Sequence, residues 1–413
     1  MPGRGRWPAW LVAVVILSLA VRLFAWWVAR DRVPVGDPFN YVEIAGNILS
    51  GRGMVIDDPQ LVPNLRAFYP PGYPLLLASI GLIFPLKATT FLVLNTAIDA
   101  AAAVLIARIG ARLGEERAGV VAGAAYFLWP EMMLLAPLAY KEGLVSLLVL
   151  VQIAALLGAA RGERFAAAGF GIAAGLEALV QPAMAPLSVL LALVLWPEFP
   201  DFRAWMRKMA GAAAIACLVL APWWLRNAFL FGQFVPFTTA GGAGLWVGAT
   251  PLSDGSWVQT PARLRIGDEL TMSAAMGEEA RRIITADPLG YLARCFGKVI
   301  NALIGSRAPI RALGSMDPWR HHELLISLSL IPIFANVGLL LATGLAAIFT
   351  RRSIAVRLML AGFAQILLFG MWFEFDERHR YFLIPLMLLV AAIDAVRWLG
   401  HRKSSGYGPA QAT

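Results

Sequence analysis

Charge is scarce in this chain. Asp, Glu, Lys and Arg together make up 15% of its 413 residues, where a soluble domain carries about a quarter. A soluble protein of this length could not clothe its surface with so little, and that class is excluded. There are two cysteines: Cys217 falls inside an apolar run and Cys295 in a polar loop, so no disulfide framework is expected. The adjacent His321-His322-Glu323 has metal-ligand residue types. Neighbouring histidines on a helix point apart, so an interfacial helix end is preferred to a zinc site. No Gly-Lys-Ser/Thr follows the Gly-rich stretch Thr239–Thr250, which excludes a nucleotide phosphate loop and leaves a mobile cover or a flexible connector. Internal repeats, Ser/Gly linkers and low-complexity tracts are absent. What abounds is apolar: 59% of residues are hydrophobic and the mean hydropathy is +0.68. The chain is an integral membrane protein.

A net charge of +9 invites a nucleic-acid reading, but Lys and Arg come in small groups between apolar runs of spanning length. That pattern encodes orientation, and no nucleic-acid partner is expected. Runs of spanning length cover 8–29, 88–107, 209–230, 324–349, 354–373 and 381–399. The first is too long for a signal-peptide core and is read as a retained span. Two longer stretches, Arg117–Arg161 and Arg164–Arg203, are bordered by basic residues at both ends and so hold an even number of crossings. We read both as hairpins, with apices near Pro130–Lys141 and Gln181–Pro182. The expectation is an all-α polytopic protein of about ten transmembrane helices in the cytoplasmic (inner) membrane, with both termini cytoplasmic.

Two segments then lie outside, 31–87 and 232–320. They divide the chain into a membrane-embedded catalytic half (1–230, including the outer loop 31–87), a small extracytoplasmic region (231–320) and C-terminal helices with a short tail (321–413). In the second segment the pattern predicts helices around Asp268–Ala286 and Leu289–Leu303. The latter suits a helix lying in the interface, with Leu292, Phe296, Val299 and Leu303 on one face and Arg294 and Lys298 on another. A core-packed helix is its alternative. The first segment opens Gly36-Asp37-Pro38-Phe39-Asn40-Tyr41. Asp before Pro is a helix-start signal, and Tyr41, Ile44, Ala45, Ile48 and Leu49 continue an amphipathic helix that Ser50-Gly51 ends. Asp37 is thus either an N-cap or, just outside the first span, a catalytic carboxylate. Phe68-Tyr69-Pro70-Pro71-Gly72-Tyr73-Pro74 follows, a stiff aromatic turn suited to an interface or to stacking on a sugar.

Polar residues inside spans are costly. Asn95 and Asp99, one helical turn apart, are expected to face the bundle interior in a structural role. Glu177 can reach the cavity that Gln181 would line, and Arg22 can snorkel outward or approach a phosphate. The charged cluster Glu374–Arg380 is divided evenly between a solvated turn and a phosphate-binding role.

The order of motifs resembles the polytopic GT-C glycosyltransferases related to protein O-mannosyltransferases and the lipid A aminoarabinose transferase. The resemblance runs from Arg22 in the first helix through Asp37 with Tyr41 and Ile44-Ala45, Gly51-x-Gly53 and Tyr69-Pro-Pro-Gly-Tyr-Pro. It continues with Glu142, Pro222-Trp-Trp-x-Arg226-Asn227, Phe231-Gly232-x-Phe234-Val235-Pro236, Gly241-Gly242 with Leu245-Trp246-Val247-Gly248, and Arg380-Tyr381 with Pro385. It implies that Asp37 is the catalytic base, Glu142 a second acid facing the site, and Arg380 with Tyr381 a phosphate-side contact. Two positions depart from the pattern: many relatives carry Arg in place of Gln181, and some carry Lys in place of Tyr69. No sugar specificity is therefore carried over.

Elementary chemistry agrees with that class. A site on the outer face has no access to cytosolic nucleotide sugars, so its donor would be a sugar on a polyprenyl phosphate, with the tail in membrane lipid. Phosphate leaves readily and needs cationic stabilisation more than a proton donor. Arginine matches it with paired hydrogen bonds, which makes Arg22, Arg226, Arg378 and Arg380 the candidates. One base then suffices to activate the acceptor hydroxyl, with Tyr41, Tyr69 and Tyr73 lining the sugar and acceptor pocket. The expected function is inverting transfer to an acceptor protein, lipid or glycan outside the membrane. The rivals are a lipid-diphosphate polysaccharide polymerase or ligase, and a lipid-sugar flippase. The sequence assigns no cofactor; a divalent cation held by Asp37, Glu142 and Asp376 is left open.

Overall fold

A computed structural model describes residues 8–306, 322–349 and 353–405. The histidines at 321 and 322 lie outside the residues whose side chains are described. In chain order the helices are α1 (Ala9–Ala29), α2 (Asp37–Leu49), α3 (Gly72–Gly81), α4 (Ala88–Arg112), α5 (Glu116–Phe127), α6 (Pro130–Leu135), α7 (Glu142–Ala160) and α8 (Ala166–Val180). They continue as α9 (Ala185–Val194), α10 (Phe202–Phe231), α11 (Gly241–Ala249), α12 (Glu269–Ala286), α13 (Pro288–Ile304), α14 (His322–Phe349), α15 (Ile354–Gln365) and α16 (Ile384–Ser405).

Among the described residues six helices are long and apolar enough to cross a membrane: those in 9–29, 88–112, 142–160, 202–231, 330–349 and 377–400. The other four expected crossings fall on shorter helical runs: α5 and α8, of 12 and 15 residues, Pro182–Val194 through α9, and Ile354–Gly370, in which α15 continues as a π-helical turn. At about 1.5 Å per residue the longest of them, Ile354–Gly370, reaches only about 25 Å. The shortfall has visible causes. The first hairpin apex is itself a short helix, α6, begun by Pro130 after α5 has ended at Phe127. In the second, Pro182 breaks the run after α8, and Gln181 leaves helical geometry there.

Packing in the bundle depends on small residues, which let helix backbones approach where lipid supplies no hydrophobic drive. A Cβ placed on Gly110 of α4 would stand 2.4 Å from the Gly119 Cα of α5. The lipid-facing sides of α1 and α10 keep Ile16, Leu17, Leu218 and Phe229 exposed. Several polar groups within the bundle are paired internally. Arg22 Nη2 meets Asp99 Oδ2 at 2.8 Å with both side chains buried, and Arg22 Nε donates to Ser18 Oγ at 3.2 Å. Asn95 Nδ2 donates to the Ala136 and Leu138 carbonyls at 2.9 and 2.8 Å, fixing the chain after α6. The interior-facing, structural role expected of Asn95 and Asp99 is what the fold shows.

At the end of the bundle where α7 begins and α10 finishes, the two long segments cover the helices together. Glu269 of α12 ties them: its carboxylate accepts from the Arg66 and Ala67 amides at 3.0 and 3.1 Å and from Thr239 Oγ1 at 2.8 Å. The Trp-Trp pair closing α10 anchors the chain that follows, Trp223 Nε1 donating to Phe237 O and Trp224 Nε1 to Pro236 O.

The Gly-rich stretch is neither a loose cover nor a connector. It is helix α11, and its glycines are close-approach positions: a Cβ on Gly242 would stand 1.8 Å from Ser273 O, and one on Gly248 2.6 Å from Trp372 O. Composition mimicked a flexible loop because contact with α12 and with residues 372–373 demands the same residue. Helix α13 buries Tyr291, Cys295 and Lys298 while Leu289, Phe296 and Ile300 stay exposed. Its Tyr291 hydroxyl donates to Trp372 O at 2.6 Å. Lys298 Nζ donates to Gly248 O at 2.8 Å and Phe373 O at 3.0 Å. One helix thus combines the amphipathic exposed face and the packed face that the sequence left as alternatives.

Candidate active site

A cavity of about 650 Å³ lies beneath these segments, within the range of small-ligand sites. Its walls come from the start of α2, the chain before α7, the break after α8, the start of α11 and residues 369–379.

Gly36 takes φ +68°, a left-handed conformation that favours glycine, and so turns the chain into α2. Asp37 becomes the first helical residue, one position past the N-cap, which is Gly36. The N-cap reading therefore fails. The carboxylate is one-third exposed (33%) and receives Arg378 Nη1 at 3.1 Å. The same Nη1 reaches Glu142 Oε1 at 3.3 Å, and Arg378 Nε reaches Asp376 Oδ2 at 3.4 Å. The Arg378 guanidinium also stands 5.0 Å from the Tyr140 ring centroid.

Arg378 is held in a short 3₁₀ turn, Glu377–Leu383, that Asp376 caps. Asp376 Oδ1 accepts from the Glu377 amide at 2.8 Å, and the Asp376 amide donates to His379 Nδ1 at 3.2 Å. Burial pushes the Asp37 carboxyl up, but Arg378 and Lys141 outweigh it and hold the group below the ordinary carboxylate range. At neutral pH Asp37 is ionised. Burial, with Asp37 adding like-charge repulsion, instead pushes Glu374 up to about 7.

Carboxylates at 37, 142 and 376 thus converge, as a cation site would require, but on a guanidinium. Among the described residues no group of three His, Cys, Asp or Glu side chains is arranged to hold a metal ion. The set does not fit a divalent ion in this geometry, because Arg378 already supplies the compensating charge.

Tyr41 and Tyr69 line the cavity beside Asp37. Their rings meet edge to face at 6.0 Å, and Tyr41 meets Tyr73 at 5.3 Å. A chain of hydrogen bonds runs from Asn40 Nδ2 to the Tyr69 oxygen at 2.6 Å and from the Tyr69 hydroxyl to Asp58 Oδ2 at 3.1 Å. Burial and the nearby Asp37 push the phenols of Tyr41 and Tyr69 well up, so both are neutral hydroxyls. Tyr73 is wholly buried behind Tyr41 and supports it from outside the cavity lining.

The structure brings together Asp37, Tyr41, Tyr69 and Arg378, with Glu142 directly behind Arg378. It does not bring Arg22, Arg226, Arg380 or Tyr381 to the cavity wall. Arg22 is paired with Asp99. Arg226 lies over Trp223 and donates to Asn227 Oδ1 at 2.8 Å. Arg380 is buried against Glu131 Oε1 at 2.7 Å, and Tyr381 is buried beside it. Glu177 is turned away from the cavity and accepts from Gln152 and Ser188, while Gln181 does line it. Sequence reasoning missed Lys141, Asp58, Gln60 and Trp257, all in the cavity wall. Lys141 stood out only as the lone basic residue between Arg117 and Arg161. The other three sit in a Pro-interrupted loop and a polar turn without a local signal.

No protein-family model matches the chain, and no curated protein matches it in sequence. Solved structures do match in shape. An oligosaccharyltransferase of Archaeoglobus fulgidus, in complex with Zn and sulfate, aligns with a TM-score of 0.56 at 14% identity. The alignment covers 95% of this chain and 49% of that one. The same enzyme tethered to an acceptor peptide containing the NVT sequon aligns at 0.54 and 14% identity, over 97% and 51%. ArnT from Cupriavidus metallidurans bound to undecaprenyl phosphate aligns at 0.45 and 14% identity, over 96% and 80%. The chain spans about half the length of the oligosaccharyltransferase it matches. The fold is GT-C-like, in a multi-pass membrane protein.

Proposed function

We propose that this protein is an inverting glycosyltransferase. It moves a sugar from a polyprenyl-phosphate carrier to an acceptor hydroxyl on the outer face of the cytoplasmic membrane. The observation that carries this reading is the convergence, in one cavity, of an ionised, partly exposed carboxylate with aromatic walls and cationic side chains. The likeness of fold to an oligosaccharyltransferase supports the same class.

In this reading Asp37 accepts the proton of the acceptor hydroxyl as its oxygen attacks the anomeric carbon. The new C–O bond forms on the face opposite the leaving group. The bond to the carrier oxygen breaks, and its electron pair departs with the phosphate, which cationic groups in the cavity stabilise. No second carboxylic acid is needed for the leaving group, unlike glycoside hydrolysis. Arg378 holds Asp37 in place and in its ionised form. Tyr41 and Tyr69 supply apolar faces for the sugar ring and neutral hydroxyls at its edge. The flippase reading loses its best support, because the midplane pair Asn95 and Asp99 is spent on carbonyls and on Arg22.

The test follows loss of labelled sugar from a panel of polyprenyl-phosphate donors in membranes containing either the wild type or Asp37→Asn. Donor loss with the wild type alone is expected. Equal loss in both membranes removes Asp37 as base. No loss across the panel, with folded protein confirmed, turns the assignment towards diphosphate-linked donors.

A further inference from the structure

The cavity wall holds one buried ammonium that no hydrogen-bond acceptor in the described residues touches. Lys141 precedes α7 and is 8% exposed. Its Nζ lies 5.3 Å from the centroid of the Tyr41 ring. Among the described residues the ammonium makes no hydrogen bond and no ion pair. Glu142, Asp37 and Glu374 attract it through space, but a buried ammonium whose donors have no acceptor is still costly, and this one lines the cavity directly.

The arginines near the site are already committed. Arg378 shares its Nη1 between Asp37 and Glu142 and turns its Nε to Asp376, so it is in contact with three carboxylates, whereas Lys141 touches none among the described residues. Arg22 and Arg380 are closed ion pairs, and Arg226 is stacked on Trp223 outside the cavity wall.

We infer that Lys141 is the residue that binds the phosphate of the lipid carrier, and that Arg378 is a positioning residue for the carboxylates. This rests on the glycosyltransferase reading above and names the cation that the reading requires. The chemistry suits lysine: a compact ammonium with three donors on a flexible stem can follow a phosphate as its ester bond breaks. When the anomeric C–O bond cleaves, the electron pair stays on the carrier phosphate and Lys141 offsets the added charge. The acceptor's proton goes to Asp37, so charge and atoms balance within the cavity.

The experiment measures binding of three probes to the purified full chain in nanodiscs: a polyprenyl monophosphate, the matching polyprenol and inorganic phosphate. Wild type, Lys141→Gln and Lys141→Arg are compared, with folding checked by thermal unfolding. The wild type is expected to prefer the lipid phosphate to the alcohol. Lys141→Gln is expected to lose about 10- to 100-fold of that preference, the worth of a charge-assisted hydrogen bond, and Lys141→Arg to retain most of it. A purely structural role for Lys141 would weaken both lipids alike. If the wild type discriminates and Lys141→Gln discriminates equally, the Lys141 assignment is overturned while the glycosyltransferase reading stands. A wild type that does not distinguish phosphate from alcohol overturns both. Inorganic phosphate binding as tightly as the lipid phosphate would assign Lys141 to a free anion and overturn the carrier assignment.

Discussion

Exchanging Arg380 for Met removes a guanidinium that the fold, rather than the carrier, has claimed. Arg380 Nη2 donates to Glu131 Oε1 at 2.7 Å and to Gly305 O at 3.0 Å, and its Nε donates to Ala302 O. Glu131 is fully buried and also accepts from Trp129 Nε1 at 2.6 Å and Asn336 Nδ2 at 3.1 Å. The pair therefore fastens α6, the end of α13, α14 and the turn before α16 to one point. Losing one partner of such a pair leaves an uncompensated buried charge and costs about 3–5 kcal/mol. Arg380→Met and Glu131→Met are each expected to lose that much in reversible unfolding of the purified protein in mixed micelles. The double substitution should lose less than the sum by at least about 1 kcal/mol, because the surviving charge is gone. Polyprenyl-phosphate binding by whatever protein remains folded should be close to that of the wild type. An Arg380→Met variant that unfolds like the wild type but no longer binds the lipid phosphate would refute this reasoning. It would restore the phosphate contact that the family resemblance implied.

Three further outcomes follow from the cavity. Glu374 titrates near pH 7 because burial and Asp37 raise it. It is therefore neutral below that value, and polyprenyl-phosphate binding should tighten as pH falls through about 7; Glu374→Gln should flatten the profile. In Arg378→Gln, Asp37 loses its strongest attraction and a hydrogen bond, both of which lower it, while burial still raises it. The acidic limb of transfer against pH, set by a carboxylate that must be ionised, should then move to higher pH, which a pH–rate profile would show. Gly242→Ala should push a methyl into Ser273 O at 1.8 Å, cost about 1–3 kcal/mol by overpacking, and shift α11 into the cavity. Thermal unfolding and lipid binding should both register the change.

Much of this architecture was legible because its causes are local. Proline after Asp37 and the Ser50-Gly51 stop bounded α2. Amphipathic spacing located α12 and α13 to within a residue or two; apolar length located five of the six long spans, and charge parity the sixth, 142–160. The charged cluster at 374–380 and the aromatic turn near Tyr69 were recognisable as site material, and both reach the cavity. What was not legible depends on partners distant in sequence. Arg380 resembled a free phosphate ligand because Glu131, 249 positions away, cannot be paired with it by pattern. Lys141 resembled a hairpin apex because its significance is the absence of a partner. Helix length was not legible either, because charge parity counts crossings without measuring helices, and six of the ten expected spans are long enough to cross by themselves.

The measurement that tests the central claim most directly separates binding from transfer in Asp37→Asn, with a donor that the wild type consumes. The amide keeps the size of the side chain and leaves Lys141 untouched, so donor binding should persist within a few-fold. Sugar transfer in a single turnover should fall by about 10²- to 10⁴-fold, the contribution of a general base. Transfer at the wild-type rate with Asn at position 37 would contradict the account.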